Sequence, residues 1–122
     1  MKPNMNKILT TALAAVLLAA CAQRQPAPTL YYWGDFHKLQ YQALDGKITP
    51  EEQIASMEKY FIDTSNHHSK AAPGAHAHLG MLYAKVGNRA GAKAQFKKEK
   101  EAFPESATYM DFLIKKIDGG KS

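Results

Sequence analysis

Histidines are the residues whose type and spacing come closest to a chemical site. Four of the five lie close together in the chain, at His67, His68, His76 and His78. Zinc ligands must share a centre, whereas residues two apart on a helix, such as His76 and His78, point roughly 200° apart. No glutamate stands at a zinc-protease spacing, and no nucleophile–base pair is evident. The sequence therefore predicts no catalytic residue, metal site or cofactor, and no enzyme; a histidine-based hydrolase or metal-binding protein is the alternative.

The single cysteine, Cys21, is the other candidate for chemistry. It follows a basic start, an apolar run over residues 8–18 and two alanines. The run is shorter than the ~20 residues that span a membrane, and its order is that of a secretory signal. The pattern resembles the lipobox of bacterial lipoproteins. That resemblance implies a mature N-terminus at Cys21 carrying acyl chains such as palmitate. An ordinary signal peptide with a chance cysteine is the alternative.

These segments divide the chain into a signal peptide (1–20), a lipidated tether (21–29) and one domain (30–118). Because Ala22 rather than aspartate follows Cys21, the resemblance implies the periplasmic face of the outer membrane. Loss of the signal lowers the net charge from +5 to +3. This mild charge does not favour nucleic acid as a partner, and no small-molecule substrate is predicted. The predicted contacts are the membrane, through the lipid, and an envelope protein.

The domain is predicted to be all-α. A first helix is expected over Leu30–Leu44, ended by Asp45-Gly46. The pair Thr49-Pro50, followed by acidic residues, predicts the N-terminus of the second helix. Its expected buried stripe consists of Ile54, Met57, Phe61 and Ile62. A last helix after Pro104, which Ser106 can cap, is expected to bury Tyr109, Phe112, Leu113 and Ile117.

Between these parts, Pro73–Pro104 reads as two helices joined at Gly87-Asn88. The stretch has Leu79-Gly80-x₂-Tyr83, then Ala92-x₃-Phe96, and ends at Pro104. Gly80 and Ala92 are small where the helices would cross, and Gly87 permits the left-handed backbone that ends a helix. The spacing is similar to that of the tetratricopeptide (TPR) repeat. His76 stands in place of the usual tryptophan and Glu99 in place of a small apolar residue, and a generic helical hairpin is the alternative.

The upstream half looks like a degenerate copy of this hairpin. The expected architecture is therefore an antiparallel helix-turn-helix stack of about two TPR-like repeats plus a C-terminal capping helix with a polar outer face. Cys21, the aromatic start Tyr31–Gly34 and the repeat resemble a family of small bacterial outer-membrane lipoproteins known as domain of unknown function 4810. This resemblance implies company with other envelope lipoproteins, one similar to the curli-secretion pore, and no known activity.

Two surfaces are candidates for binding. The inner face of the third helix is expected to bind a protein partner along an apolar groove with a basic rim, through Ala77, Met81, Ala84 and Lys85. Packing against the first helix is the alternative for these residues. A basic stripe, Arg89, Lys93, Lys97 and Lys100, either contacts anionic lipid or is a solvated face. The function predicted is that of a lipid-anchored adaptor or scaffold for an envelope assembly or secretion complex; a pilotin-like assembly factor for an outer-membrane pore is the alternative.

Overall fold

The computed structural model describes residues 2–9, 12 and 29–119. The predicted signal peptide therefore lies largely outside the described residues, and the tether with Cys21 does so except for Thr29. Residues 5–9 are helical. Residues 29–119 form an all-α stack, as predicted, in which consecutive helices pack against one another. Its helices are α1 (Phe36–Asp45), α2 (Pro50–Asn66), α3 (Ala75–Lys85), α4 (Arg89–Ala102), a 3₁₀ turn (Pro104–Ser106) and α5 (Ala107–Gly119).

The first helix starts later than predicted. Tyr31–Tyr32 is a short strand, β1, that pairs in parallel with β2 (Lys70–Ala71). Gly34 has a φ of 42°, and a Cβ there would lie 2.6 Å from Cε1 of the Tyr32 ring. The chain bends at this glycine with the tyrosine folded over it, so a helix cannot run through residues 30–35. The prediction of a helix from Leu30 was therefore wrong for its first turn and a half.

The hydroxyl of Tyr60 joins the two strands. It donates a hydrogen bond to the Tyr32 carbonyl (2.6 Å) and accepts one from the Ala72 N–H (2.8 Å). Tyr60 and Ala72 are both buried. The Tyr60 side chain of α2 thus satisfies one backbone group in β1 and one just after β2. This attaches the N-terminal segment to the middle of the stack.

Helix α2 begins as predicted. The Thr49 side chain accepts a hydrogen bond from the Glu52 N–H, and the Glu52 carboxylate accepts one from the Thr49 N–H, which is a complete capping box. The buried stripe is different from the predicted one: it consists of Gln53, Met57, Tyr60 and Thr64. Ile62 is 61% exposed, whereas Ile54 and Phe61 are half-buried.

The rotation of α2 has a polar cause. Thr64 donates its hydroxyl hydrogen to the Tyr60 carbonyl at 2.8 Å, and the Gln53 side-chain amide donates to the Ile48 carbonyl at 3.1 Å. The Thr64 hydroxyl and the Gln53 amide N–H are thus satisfied locally, whereas the Gln53 side-chain oxygen is buried without a partner among the described residues. A buried face predicted from apolar residues alone therefore omits Gln53 and Thr64.

The α3–α4 hairpin matches its prediction. Gly87 has a φ of 78°, and the Asn88 side chain accepts a hydrogen bond from the Gly91 N–H at 2.9 Å. Where the helices cross, a Cβ on Gly80 would lie 2.6 Å from Phe96 Cε1 and 3.2 Å from the Ala92 carbonyl oxygen. The close approach therefore depends on the absence of a side chain at Gly80.

Helix α3 has no capping side chain of its own, because its N-cap is Gly74. The cap is supplied by Glu99 of α4, whose carboxylate accepts hydrogen bonds from the N–H groups of Gly74 (2.7 Å) and Ala77 (3.2 Å). Glu99 is only 3% exposed. The charged residue that departs from the repeat pattern is thus a buried helix cap.

The core consists of two clusters. The first lies between α1, α2 and α3, around Phe36, Met57 and Leu79; the second lies between α4 and α5, around Ala92, Phe96 and Met110. Helix α5 adds the half-buried Leu113, Ile114 and Ile117 to the second cluster. Tyr109 and Phe112, predicted to be buried, are 58% and 50% exposed. The prediction that Tyr109 and Phe112 are buried was therefore wrong, and the outer face of the last helix carries two aromatic rings among polar residues such as Thr108, Lys115 and Lys116.

Candidate functional site

An open, largely apolar groove of about 320 Å³ runs between α1 and α3. Leu44 lies in the last turn of α1, just before Gly46 ends that helix in a left-handed conformation. Leu44 is 87% exposed and Met81 is 41% exposed, so two large apolar side chains face solvent at the groove. The residues that line this α1–α3 groove are Gln40, Ala43, Leu44, His78, Met81, Leu82 and Lys85.

The structure brings together two of the four predicted partner-binding residues. Met81 and Lys85 line the α1–α3 groove. Ala77 packs instead against the second core cluster, and Ala84 is exposed but does not line the groove. The groove therefore lies along one edge of α3.

Sequence reasoning missed five of the lining residues: Gln40, Ala43, Leu44, His78 and Leu82. Leu44 is the most exposed of them, and its position off the i, i+4, i+7 stripe that carries Phe36 and Leu39 was the signal that it faces outward. Together with Met81, it supplies the exposed apolar surface that the prediction placed on α3 alone.

His78 lies at the groove and has an unusual environment. Its Nε2 atom is buried and has no hydrogen-bond partner among the residues that the structure describes, and its ring meets Phe36 edge-on at 6.2 Å between centroids. Burial lowers the pKa of His78 below its usual 6.5, and the positive charge of Lys85 lowers it further. The neutral imidazole therefore lies with its Nε2 atom against apolar side chains and out of reach of solvent.

His76, which replaces the tryptophan of the repeat pattern, is half-buried and packs within the domain. Its ring stacks on Phe61 at 4.3 Å between centroids, and its Nδ1 atom is 2.7 Å from the Gln95 side-chain oxygen. Burial lowers its pKa, against the opposing effect of the Gln95 hydrogen bond. Within residues 2–9, 12 and 29–119, no three His, Cys, Asp or Glu side chains are grouped so that they could hold a metal ion.

The two half-buried histidines, His76 and His78, predict a pH dependence of stability. Because the pKa of His78 is lower in the folded protein than the 6.5 of an unfolded chain, the unfolded state binds the proton more tightly. The stabilising contribution is complete above pH 6.5 and is lost as the pH falls from there toward the folded pKa. We expect His78→Leu to flatten the free energy of unfolding, measured by urea titration, between pH 7.5 and pH 5. The exposed His68, changed to Asn, is the control; an equal flattening there would contradict the assignment.

The basic stripe is partly neutralised by α5. Lys93 pairs with Asp118 at 2.6 Å and Lys100 with Asp111 at 2.5 Å. Each of these lysines has about a third of its side chain exposed. Two of the four cations of the stripe therefore connect α4 to α5.

Comparison with known proteins extends this description. None of the described helices is long and apolar enough to cross a membrane. No curated protein and no solved structure matches the chain. The family model described as "Domain of unknown function (DUF4810)" matches residues 30–113, which include β1, α1 to α4 and the first half of α5. This match covers well over half of the chain, so the protein belongs to the DUF4810 family.

Proposed function

We propose that the protein is a lipid-anchored adaptor that binds a partner of an envelope assembly or secretion complex through the α1–α3 groove. The anchor is an acylated Cys21, which holds the domain at the periplasmic face of the outer membrane. The observation that carries the proposal is that Leu44 and Met81, both exposed, line one groove of a folded domain. Large exposed apolar side chains that line a groove are typical of protein–protein contacts.

The chemistry of the groove defines its occupant. An apolar side chain of the partner would lie between Leu44 and Met81, and Lys85 at the rim favours an acidic residue beside it. The rest of the lining that the partner would cover is apolar or uncharged, from Ala43, Leu82 and Gln40. The occupant is thus an amphipathic segment of an envelope protein, with an acidic residue next to its apolar anchor.

The architecture supports this role. Two successive hairpins, α1–α2 and α3–α4, with the close crossing at Gly80, support a TPR-like assignment. In TPR-like stacks, the first helices of the hairpins line a shared binding face. Here those helices are α1 and α3, and they are the two that form the groove.

Site-specific photo-crosslinking in intact cells tests the proposal. With a photoreactive amino acid at Met81 of the full chain, we expect one adduct, mapped by mass spectrometry to an apolar segment that carries an acidic residue. Leu44→Glu should reduce that adduct at least about tenfold, because it places a charge in the apolar contact. The matched control is Ile62, which is 61% exposed on α2 and does not line the groove.

Every outcome of this experiment either supports the groove as the binding site or counts against it. The same adducts from Ile62, or no adduct above background, would count against the groove. If the captured protein is a pore subunit whose oligomers disappear on deletion of this lipoprotein, the adaptor is a pilotin-like assembly factor. Mass spectrometry of the mature N-terminus tests the anchor separately, since an unacylated Cys21 would remove the membrane attachment without affecting the groove.

A further inference from the structure

The outer face of α5 carries a continuous strip of side chains that the core does not use. Its members are spaced i, i+4, i+7 and i+11, so they share one side of the helix and the turn before it. The Tyr109 and Phe112 rings stack at 6.3 Å between centroids, and Lys116 Nζ lies 5.1 Å from the Phe112 ring centroid. All four residues of this α5 strip are exposed: Glu105, Tyr109, Phe112 and Lys116.

Two ion pairs and a buried methionine determine which side of α5 faces solvent. Asp111 and Asp118, on the other side of α5, pair with Lys100 and Lys93 of α4. Met110 is 2% exposed and faces the core. The orientation of α5 is therefore fixed from within, and its two aromatic rings remain half-exposed because of it.

The order of residues along the strip is self-complementary. If a second α5 lies antiparallel to the first, centred between Met110 and Asp111, Glu105 of one copy faces Lys116 of the other. In the same arrangement Tyr109 faces Phe112 of the other copy. The two charged ends of the strip are eleven residues apart, about 16 Å along the 3₁₀ turn and the helix, so both ion pairs can form in the same arrangement. This is the residue pattern of a two-fold symmetric contact, in which one patch binds its own copy.

We propose that the α5 strip is the interface of a symmetric homodimer. The rings supply the apolar centre, and the Glu105–Lys116 pairs supply the polar ends and the antiparallel direction. Neither Glu105 nor Lys116 forms an ion pair within the part of the chain that the structure describes. The charge complementarity favours a second copy over an unrelated partner, because both ends of the strip are matched by the strip itself.

The dimer is weak in dilute solution. One helix face of about three turns buries less than the ~1,600 Å² of a standard interface. Two copies confined to a membrane have a far higher effective concentration, which favours the contact without any new interaction. The inference is separate from the groove, which lies between α1 and α3 and shares no residue with the α5 strip.

Sedimentation of the purified full chain tests the dimer, with detergent micelles in excess over protein so that co-residence in a micelle does not mimic association. The wild type should shift from monomer to dimer as its concentration rises. Phe112→Glu should remain monomeric, because each dimer would bury two charges at its centre. Glu105→Lys and Lys116→Glu should each weaken association about tenfold, since each places like charges opposite one another at both ends.

The decisive variant is the double reversal, Glu105→Lys with Lys116→Glu, which exchanges the two charges and should restore wild-type association. Circular dichroism should be unchanged in all of these variants, because the positions are exposed. Ile62→Glu, on α2, should associate as the wild type does. A wild type that stays monomeric throughout, a double reversal that fails to restore, or an equal loss with Ile62→Glu would overturn the proposal.

Discussion

Gly80→Val is expected to lower the free energy of unfolding by about 3 kcal/mol. A Cβ at this position would lie 2.6 Å and 2.7 Å from two carbons of the Phe96 ring and 3.2 Å from the Ala92 carbonyl oxygen. The ring cannot move aside, because Phe96 has no exposed surface and is packed by α5. The helices must therefore separate, which loosens the largest helix–helix contact in the stack. Urea denaturation followed by far-UV circular dichroism measures the change.

The matched control is Ala84→Val on the same helix, because Ala84 is exposed and the substitution costs only the helix propensity of valine, about 0.6 kcal/mol. A second test restores space at the crossing. Phe96→Leu should destabilise the wild type but cost much less in the Gly80→Val background, giving a coupling of about 1 kcal/mol or more. Additive losses would mean that Gly80 and Phe96 do not compete for the same volume.

Glu99→Ala is expected to cost about 3 kcal/mol. The substitution removes two hydrogen bonds from a carboxylate to the N–H groups of Gly74 and Ala77, and hydrogen bonds to charged groups contribute about 1.5–3 kcal/mol each. It also leaves the first turn of α3 with no side-chain cap, because glycine occupies the N-cap. Urea denaturation measures the total, and amide hydrogen exchange at Gly74 and Ala77 should show the local opening.

Glu101→Ala is the control for Glu99. It removes the same side chain two residues later on α4, where the residue is exposed, and should change stability by less than about 0.5 kcal/mol. Glu99→Gln should fall between the two, since the amide keeps one accepting oxygen. Similar stabilities for the Glu99→Ala and Glu101→Ala variants would refute the capping role.

Helix ends and the central hairpin were predictable because local chemistry decides them. Thr49-Pro50 starts a helix through its own hydroxyl and ring, and Gly46 and Gly87 end helices through backbone freedom. The Gly80–Ala92 crossing was also readable, since two small residues in register indicate close helices. These features depend on residues near in sequence or on a familiar spacing.

Contacts between distant residues were not predictable from the pattern. The β1–β2 pairing joins segments 39 residues apart, and no alternation over two residues announces a strand. The cap of α3 comes from Glu99, on another helix. Helix α2 buries Tyr60 and exposes Ile62 because the tyrosine hydroxyl has partners on β1 and after β2.

Only two of the four predicted partner-binding residues line the groove, again because part of the site depends on contacts between distant residues. Met81 and Lys85 lie four apart on α3, so helical periodicity groups them. The other wall of the groove is α1. Its Leu44 lines the groove together with Met81 only because α1, α2 and α3 pack together. The rotation of α3 about its axis, which takes Ala77 to the second core cluster, is set by that packing as well.

The Tyr60 hydroxyl has a mechanical consequence. Any tension on the chain ahead of Leu30 reaches the domain at Tyr31 and Tyr32, before it reaches α1. There it is resisted by the β1–β2 pairing and by the hydrogen bond from the Tyr60 hydroxyl to the Tyr32 carbonyl. It is also resisted by the packing of Tyr31 on Phe103 at the end of α4, with 5.6 Å between the ring centroids. A force applied at the N-terminal end is thus shared by β2, α2 and the end of α4. Those contacts must break before the force unfolds α1.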